Sequence, residues 1–317
     1  MNTRALLTTA FSAGLLALTS AAHAGPAVTP LVDTDWLASN LDDPDLAIID
    51  VRSAIDGSNA ETFAAGHIPG AVYASYTGAG WREAQDGVPG KLPPVERVSN
   101  LIGSLGVDND DSVVIVPAGV NSTDFGSAAR VYWTFKYLGH EDVAILNGGY
   151  QAWVDAGGDV ATGASQPQAA DFAVDLQPEL LADTAAVEAA LEGGDQLVDA
   201  RPAAQYSGEA KHPAARAAGT IPGAASLEQQ LLVEAGSARF LDRGRVESLI
   251  ETAGIDGDGP VVSFCNTGHW AATAWFALSE VAGLESVALY DGSMTEWTQD
   301  PSLPLAQGQQ ALTELLN

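Results

Sequence analysis

Short apolar runs recur along the chain, bounded by the turn-forming residues glycine, proline, asparagine and aspartate. The runs within residues 45–52, 112–116, 143–146, 196–201, 261–264 and 286–290 predict buried strands, being short, apolar and mostly rich in valine, isoleucine and leucine. Between them the pattern predicts helices: one opening at Thr34-Asp35, one around Glu61, and one ending at residues 100–106 with Gly106 as its cap. Others are expected at 128–138, at 180–191 with Asp183-Thr184 as its cap, and at 271–281. Short strands alternating with helices predict an α/β fold with mainly parallel sheets. Sites in such sheets form at the carboxyl ends of strands.

The order of features occurs twice. Asp50-Val51-Arg52 closes one strand and Asp199-Ala200-Arg201 closes its counterpart. Gly66-His67-Ile68-Pro69-Gly70-Ala71 returns as Gly219-Thr220-Ile221-Pro222-Gly223-Ala224. The strand at 112–116 and helix at 128–138 return at 261–264 and 271–281, and the turn 147–153 returns at 291–297. The ordered set predicts two tandem domains, residues 28–157 and 179–317. The stretch 158–178, rich in Gly, Ala, Gln and Pro, is the expected linker.

Arg4, an apolar core over residues 5–18 and Ala22-His23-Ala24 predict a secretory signal cut after Ala24, so the expected location is periplasmic or secreted. No later run is long enough to predict a membrane span. The formal charge is -28, from 41 acidic and 13 basic residues. That field argues against nucleic acid and anionic membrane as partners. Because the acid is scattered, it reads as a solvated surface, and we read it as adaptation to salt. Loss of structure on salt removal would support that reading; indifference to salt would end it.

Cys265 is the sole cysteine, placed between a strand end and a helix start. Backbone N–H groups converge there and the helix dipole favours a thiolate, the reactive form. A free cysteine also commonly buries as a small apolar residue. Two observations favour reactivity. A single cysteine in an exported chain has no internal disulfide partner, and the same turn in the first half holds Pro117. His23, His67, His140, His212 and His269 are scattered singly, so no metal site is expected.

These features resemble the rhodanese superfamily, specifically the two-domain sulfurtransferases acting on thiosulfate or mercaptopyruvate. The resemblance rests on both Asp-x-Arg strand ends, both Ile-Pro-Gly-Ala turns, Asn147-Gly148-Gly149-Tyr150 with Asp291-Gly292, and the Cys265 loop. It implies two tandem rhodanese-like domains, each a mainly parallel sheet flanked by helices, the first inactive and the second catalytic. It implies a Cys265 persulfide, taken from a small-molecule sulfur donor and passed to a thiophilic acceptor such as cyanide or a thiol, or to a sulfur-relay protein. No cofactor is expected. Three other readings stand beside a thiosulfate enzyme: a 3-mercaptopyruvate enzyme, a persulfide carrier, and a cysteine phosphatase. The last is disfavoured because His269-Trp270-Ala271 stands where phosphate chemistry wants an arginine.

The expected binding residues are Asn266, Thr267, Gly268, His269 and Trp270, with backbone N–H groups of 266–270 ringing the sulfur. Members specialised for thiosulfate often carry basic side chains in this loop, which here has only His269, read either as a protonated cation or as a neutral residue facing solvent. Trp270 either shields the persulfide or packs between domains. Gln205 stands where the family often places a basic residue, so Arg216 or Lys211 is expected to supply the missing charge. Arg201 is a further candidate, read mainly as an anchor of its strand end, as are Asp50 and Asp199.

Overall fold

The structure is a computed structural model that describes residues 25–316; the expected leader, residues 1–24, lies outside the described residues. In the first half the strands are β1 (Leu31–Val32), β2 (Leu46–Asp50), β3 (Val72–Tyr73), β4 (Glu83–Gln85), β5 (Val88–Lys91), β6 (Ser112–Val116) and β7 (Val143–Leu146). In the second half they are β8 (Leu181–Ala182), β9 (Gln196–Asp199), β10 (Ala225–Ser226), β11 (Val261–Phe264) and β12 (Val287–Tyr290). One sheet runs β1-β7-β6-β2-β3 and the other β8-β12-β11-β9-β10, with every neighbouring pair parallel. The two orders correspond strand for strand. β4 and β5 form a separate antiparallel pair that the apolar pattern does not foretell.

The central strands β6, β7 and β11 are buried throughout, as parallel strands covered by helices on both faces must be. The strand ends are fastened alike in both halves. Asp50 pairs with Arg52, whose Nη2 donates to the Gly66 carbonyl at 2.9 Å. Asp199 pairs with Arg201, whose Nη2 donates to the Gly219 carbonyl at 2.9 Å. Each ion pair is buried and ties its strand end to its Ile-Pro-Gly-Ala turn.

Helix starts differ from the sequence expectation. Asp33, one residue before the expected opening, caps the Thr34–Asn40 helix. The helix expected at 128–138 spans Ser122–Tyr137, capped by Asn121, whose side chain accepts the N–H groups of Thr123 and Asp124. Nearly all of it is buried, so it lacks the polar face on which helical periodicity depends. It packs against the helix expected at 271–281, which spans His269–Trp275 and continues as a π-helical stretch, Phe276–Ala282.

The domains therefore share one core. Phe125 of the first half meets Phe240 and Phe276 of the second at 4.7 and 5.7 Å between ring centroids. The Tyr132 hydroxyl crosses the same seam to donate to Glu280 at 2.5 Å. Residues 158–178 are not a free tether: Ala170, Asp175 and Gln177 donate backbone bonds to Gly103, Leu138 and Tyr137 of the first domain.

Candidate active site

Cys265 is the first residue beyond β11 and is only 1% exposed. Its loop is shaped by Ser293, whose Oγ accepts the N–H groups of Cys265 at 3.0 Å and Gly268 at 3.2 Å and donates to the Tyr290 carbonyl at 2.7 Å. Ser293 holds a left-handed φ of 49°, uncommon for a residue with a side chain. Gly268 has φ 70°, and a Cβ there would lie 2.5 Å from Arg130 and 2.8 Å from the Asp291 backbone. The Gly268 N–H is thus committed to Ser293, which removes it from the ring of donors expected around the sulfur. Farther along, Met294 and Thr295 donate to the Cys265 and Asn266 carbonyls at 3.1 Å. Asn266 Nδ2 donates to Gln205 Oε1 at 2.8 Å, so Gln205 fastens the loop rather than charging it.

The first domain supports the loop through Arg130, which is fully buried. Its guanidinium donates to the Gly268 carbonyl and to Asp291, each at 3.3 Å, and lies over Trp133 at 4.6 Å. Burial pulls its pKa below the usual arginine range, opposed by Asp291. Asp291 also accepts the Leu92 N–H at 2.7 Å and pairs with Lys91 at 3.1 Å.

Cys265, Asn266 and Thr267 line a cavity of about 190 Å³. Ile55, Arg82 and Thr123 close it from the first domain, while His212, His269 and Trp270 complete it from the second. His269 is neither a cation nor solvent-facing. Its Nε2 lies 2.8 Å from the Thr123 carbonyl and its Nδ1 2.8 Å from the Tyr76 hydroxyl. A carbonyl only accepts, so Nε2 carries the proton, Nδ1 is the acceptor, and the Tyr76 hydroxyl donates to it. Burial, reinforced by the nearby Arg82, lowers the His269 pKa to about 3. Tyr76 in turn accepts from Arg82 Nη1 at 2.9 Å.

Trp270 is half-buried; it lines the cavity, and its Nε1 reaches across the domain seam to donate to Thr123 Oγ1 at 3.3 Å. Arg216 is exposed and absent from the cavity lining; its backbone N–H donates to Thr298. Lys211 donates to the Ala215 carbonyl at 2.6 Å. Arg201 is occupied by Asp199 and Gly219. The cation at the cavity is instead Arg82, with Nη2 3.4 Å from Thr267 Oγ1. Arg82, Tyr76, Thr123 and Ile55 escape a sequence reading because they join the site only across the domain seam. The half-buried His212 escapes it as one isolated histidine among five.

The matching turn of the first domain is filled from within. Ala118, Gly119 and Val120 donate their N–H groups to the Asp124 carboxylate at 3.0, 2.6 and 3.1 Å. Burial pushes the Asp124 pKa up to about 6, against the pull of those bonds. Asp124 is the third residue of its helix; the third residue of the helix after Cys265 is Ala271.

The family model for the rhodanese-like domain matches residues 33–156 and 183–300. The chain belongs to the rhodanese family. It is 31% identical to the 3-mercaptopyruvate sulfurtransferase of Escherichia coli, over 87% of this chain and 98% of that one. It is also 31% identical to the sulfur carrier protein TtuD of Thermus thermophilus, over 88% of this chain and 97% of that one. Among solved structures, a 3-mercaptopyruvate sulfurtransferase of Escherichia coli superposes with a TM-score of 0.73 at 29% identity, covering 84% of this chain and 99% of that one. Among the described residues, no helix is long and apolar enough to cross a membrane, and no cluster of three metal-ligating side chains forms.

Proposed function

We propose that this chain is a sulfurtransferase that moves the sulfane sulfur of thiosulfate through a Cys265 persulfide to a thiol or to cyanide. The observation that carries the reading is the sole cysteine on the wall of an interdomain cavity, beside a guanidinium from the opposite domain. The Cys265 thiolate attacks the outer sulfur of thiosulfate; a new S–S bond forms, the donor's S–S bond breaks, and sulfite leaves with the electron pair. An acceptor thiolate then attacks the outer sulfur of the persulfide, takes it as a new persulfide, and returns Cys265 as thiolate. N–H groups in the first turn of the helix that begins at His269 have no acceptor four residues back and can face the sulfur's negative charge.

The apolar side chains Ile55 and Trp270 in the cavity favour a second donor, 3-mercaptopyruvate, whose carbon body they would contact. Initial rates with each donor, cyanide being the acceptor, separate the two. A higher kcat/KM for mercaptopyruvate replaces the thiosulfate assignment. Stoichiometric loading without turnover makes the chain a carrier for a relay partner. Export is part of the proposal and rests on residues 1–24. Expression in a host with a periplasm and sequencing of the mature N-terminus tests it, with Gly25 the expected first residue.

A further inference from the structure

We propose that Arg82, carried by the domain that lacks the cysteine, is the residue that grips the anionic end of the sulfur donor. The inference deepens the sulfurtransferase reading and rests on it for the identity of the donor.

Acidic residues outnumber basic ones by 41 to 13 in this chain. Arg52, Arg97, Arg130, Arg201, Arg243 and Arg245 each reach a carboxylate. Arg82 does not, among the described residues, although it is half-buried beside Cys265. Its visible partners are neutral: the Tyr76 hydroxyl at 2.9 Å, the Thr267 hydroxyl at 3.4 Å, and the Tyr76 ring at 5.2 Å. Its Nε is buried without a partner. Removing a guanidinium from water without a counter-charge is costly. Its neighbours hold it in one place instead of neutralising it. No carboxylate lines the cavity, and His269, one of the two histidines in its wall, is buried and held neutral between Thr123 and Tyr76.

The missing partner is therefore an anion that arrives with the donor. Its charged oxygens lie distal to the transferred sulfur: the sulfonate end of thiosulfate or the carboxylate of a mercapto acid. Either presents a planar or pyramidal set of oxygens that a guanidinium fork can bind in pairs. One consequence is organisational. The nucleophile and the anion grip sit on different domains, so the site is incomplete without the seam between them.

The test uses the full chain and two alkylating agents that differ only in charge, iodoacetate and iodoacetamide. In each, the Cys265 thiolate forms a C–S bond as the C–I bond breaks and iodide leaves. A charge-assisted contact is worth about 1.5–3 kcal/mol, roughly 10- to 100-fold in rate. In Arg82→Met the iodoacetate-to-iodoacetamide rate ratio is expected to fall on that scale, while Arg82→Lys retains part of it. The neutral reagent measures the thiol in the same protein, so misfolding does not imitate the result. In parallel, the KM of Arg82→Met for the working donor should rise at least about tenfold, with thiosulfate and mercaptopyruvate assayed separately to show which oxygens are read. An unchanged alkylation ratio overturns the assignment of Arg82, whatever the donor. Absence of loading from either donor, with the ratio still shifted, overturns the sulfurtransferase reading and leaves the anion grip standing.

Discussion

The Tyr76 hydroxyl lies 2.8 Å from Nδ1 of His269, joining a residue of the first domain to the fourth residue after Cys265. The contact is one link in a directed chain: Arg82 donates to Tyr76, Tyr76 to His269, and His269 to the Thr123 carbonyl. Removing the hydroxyl leaves a buried acceptor and a half-buried guanidinium unsatisfied. Tyr76→Phe should lower stability by about 1–3 kcal/mol. It should also slow sulfur loading more than it slows persulfide hand-off to a small thiol, because Arg82 loses its anchor. Denaturant unfolding and single-turnover loading check the two halves of this prediction.

The same chain predicts acid sensitivity. His269 binds its proton near pH 3 when folded but near the ordinary 6.5 when unfolded. The unfolded state therefore takes up protons first, and stability falls as pH drops from about 6.5 toward 3. Asp124 pulls the other way: its folded pKa of about 6 exceeds the ordinary 3.8, so its contribution is full below 3.8 and lost as pH rises through 6. In His269→Gln the gain in stability as pH rises from 4 to 6.5 should be smaller than in the unsubstituted chain, because the opposing Asp124 contribution is left uncompensated. An unchanged slope would remove His269 from the account.

Ser293 collects two N–H groups of the Cys265 loop on one oxygen. Ser293→Gly tolerates the left-handed backbone and removes the side chain that carries that oxygen. A loop displaced by about an ångström should lose on the order of 10²-fold in loading rate, with little change in global fold. Stopped-flow loading beside a circular dichroism melt separates a loop effect from unfolding.

Asp124 closes the turn of the first domain with its own carboxylate, whereas the third residue of the second domain's helix is the buried, apolar Ala271. Ala271→Asp should place a carboxylate in competition with the donor and reduce sulfur loading by about 10²-fold. Loading at the wild-type rate would mean that the two turns do not share this geometry. Asp124→Ala leaves the N–H groups of the buried Ala118 and Gly119, and that of the exposed Val120, without their acceptor and should cost about 1–3 kcal/mol.

Much of the fold is legible in the sequence because local signals and burial agree. The valine-rich runs became the central strands, and the Asp-x-Arg pairs became the buried ties at the ends of β2 and β9. The position of Cys265 followed from the same pattern, since β11 ends where its apolar run ends. The cavity walls were not legible. Arg82 lies 183 positions before Cys265 and meets it only because the Ser122–Tyr137 helix docks on the helix that begins at His269. That same docking buries His269, whose local sequence gave no sign of whether it faced solvent. Arg216 looked plausible because charge is visible in a sequence and direction is not.

The central claim is that Cys265 carries sulfur. The most direct measurement is the mass of the Cys265 peptide after the reduced, full-length mature chain is incubated with thiosulfate or mercaptopyruvate and digested without reductant. The account predicts a gain of one sulfur atom on that peptide, absent in Cys265→Ser and lost on addition of cyanide. An unchanged mass with both donors, in a folded protein whose Cys265 still reacts with iodoacetamide, would contradict it.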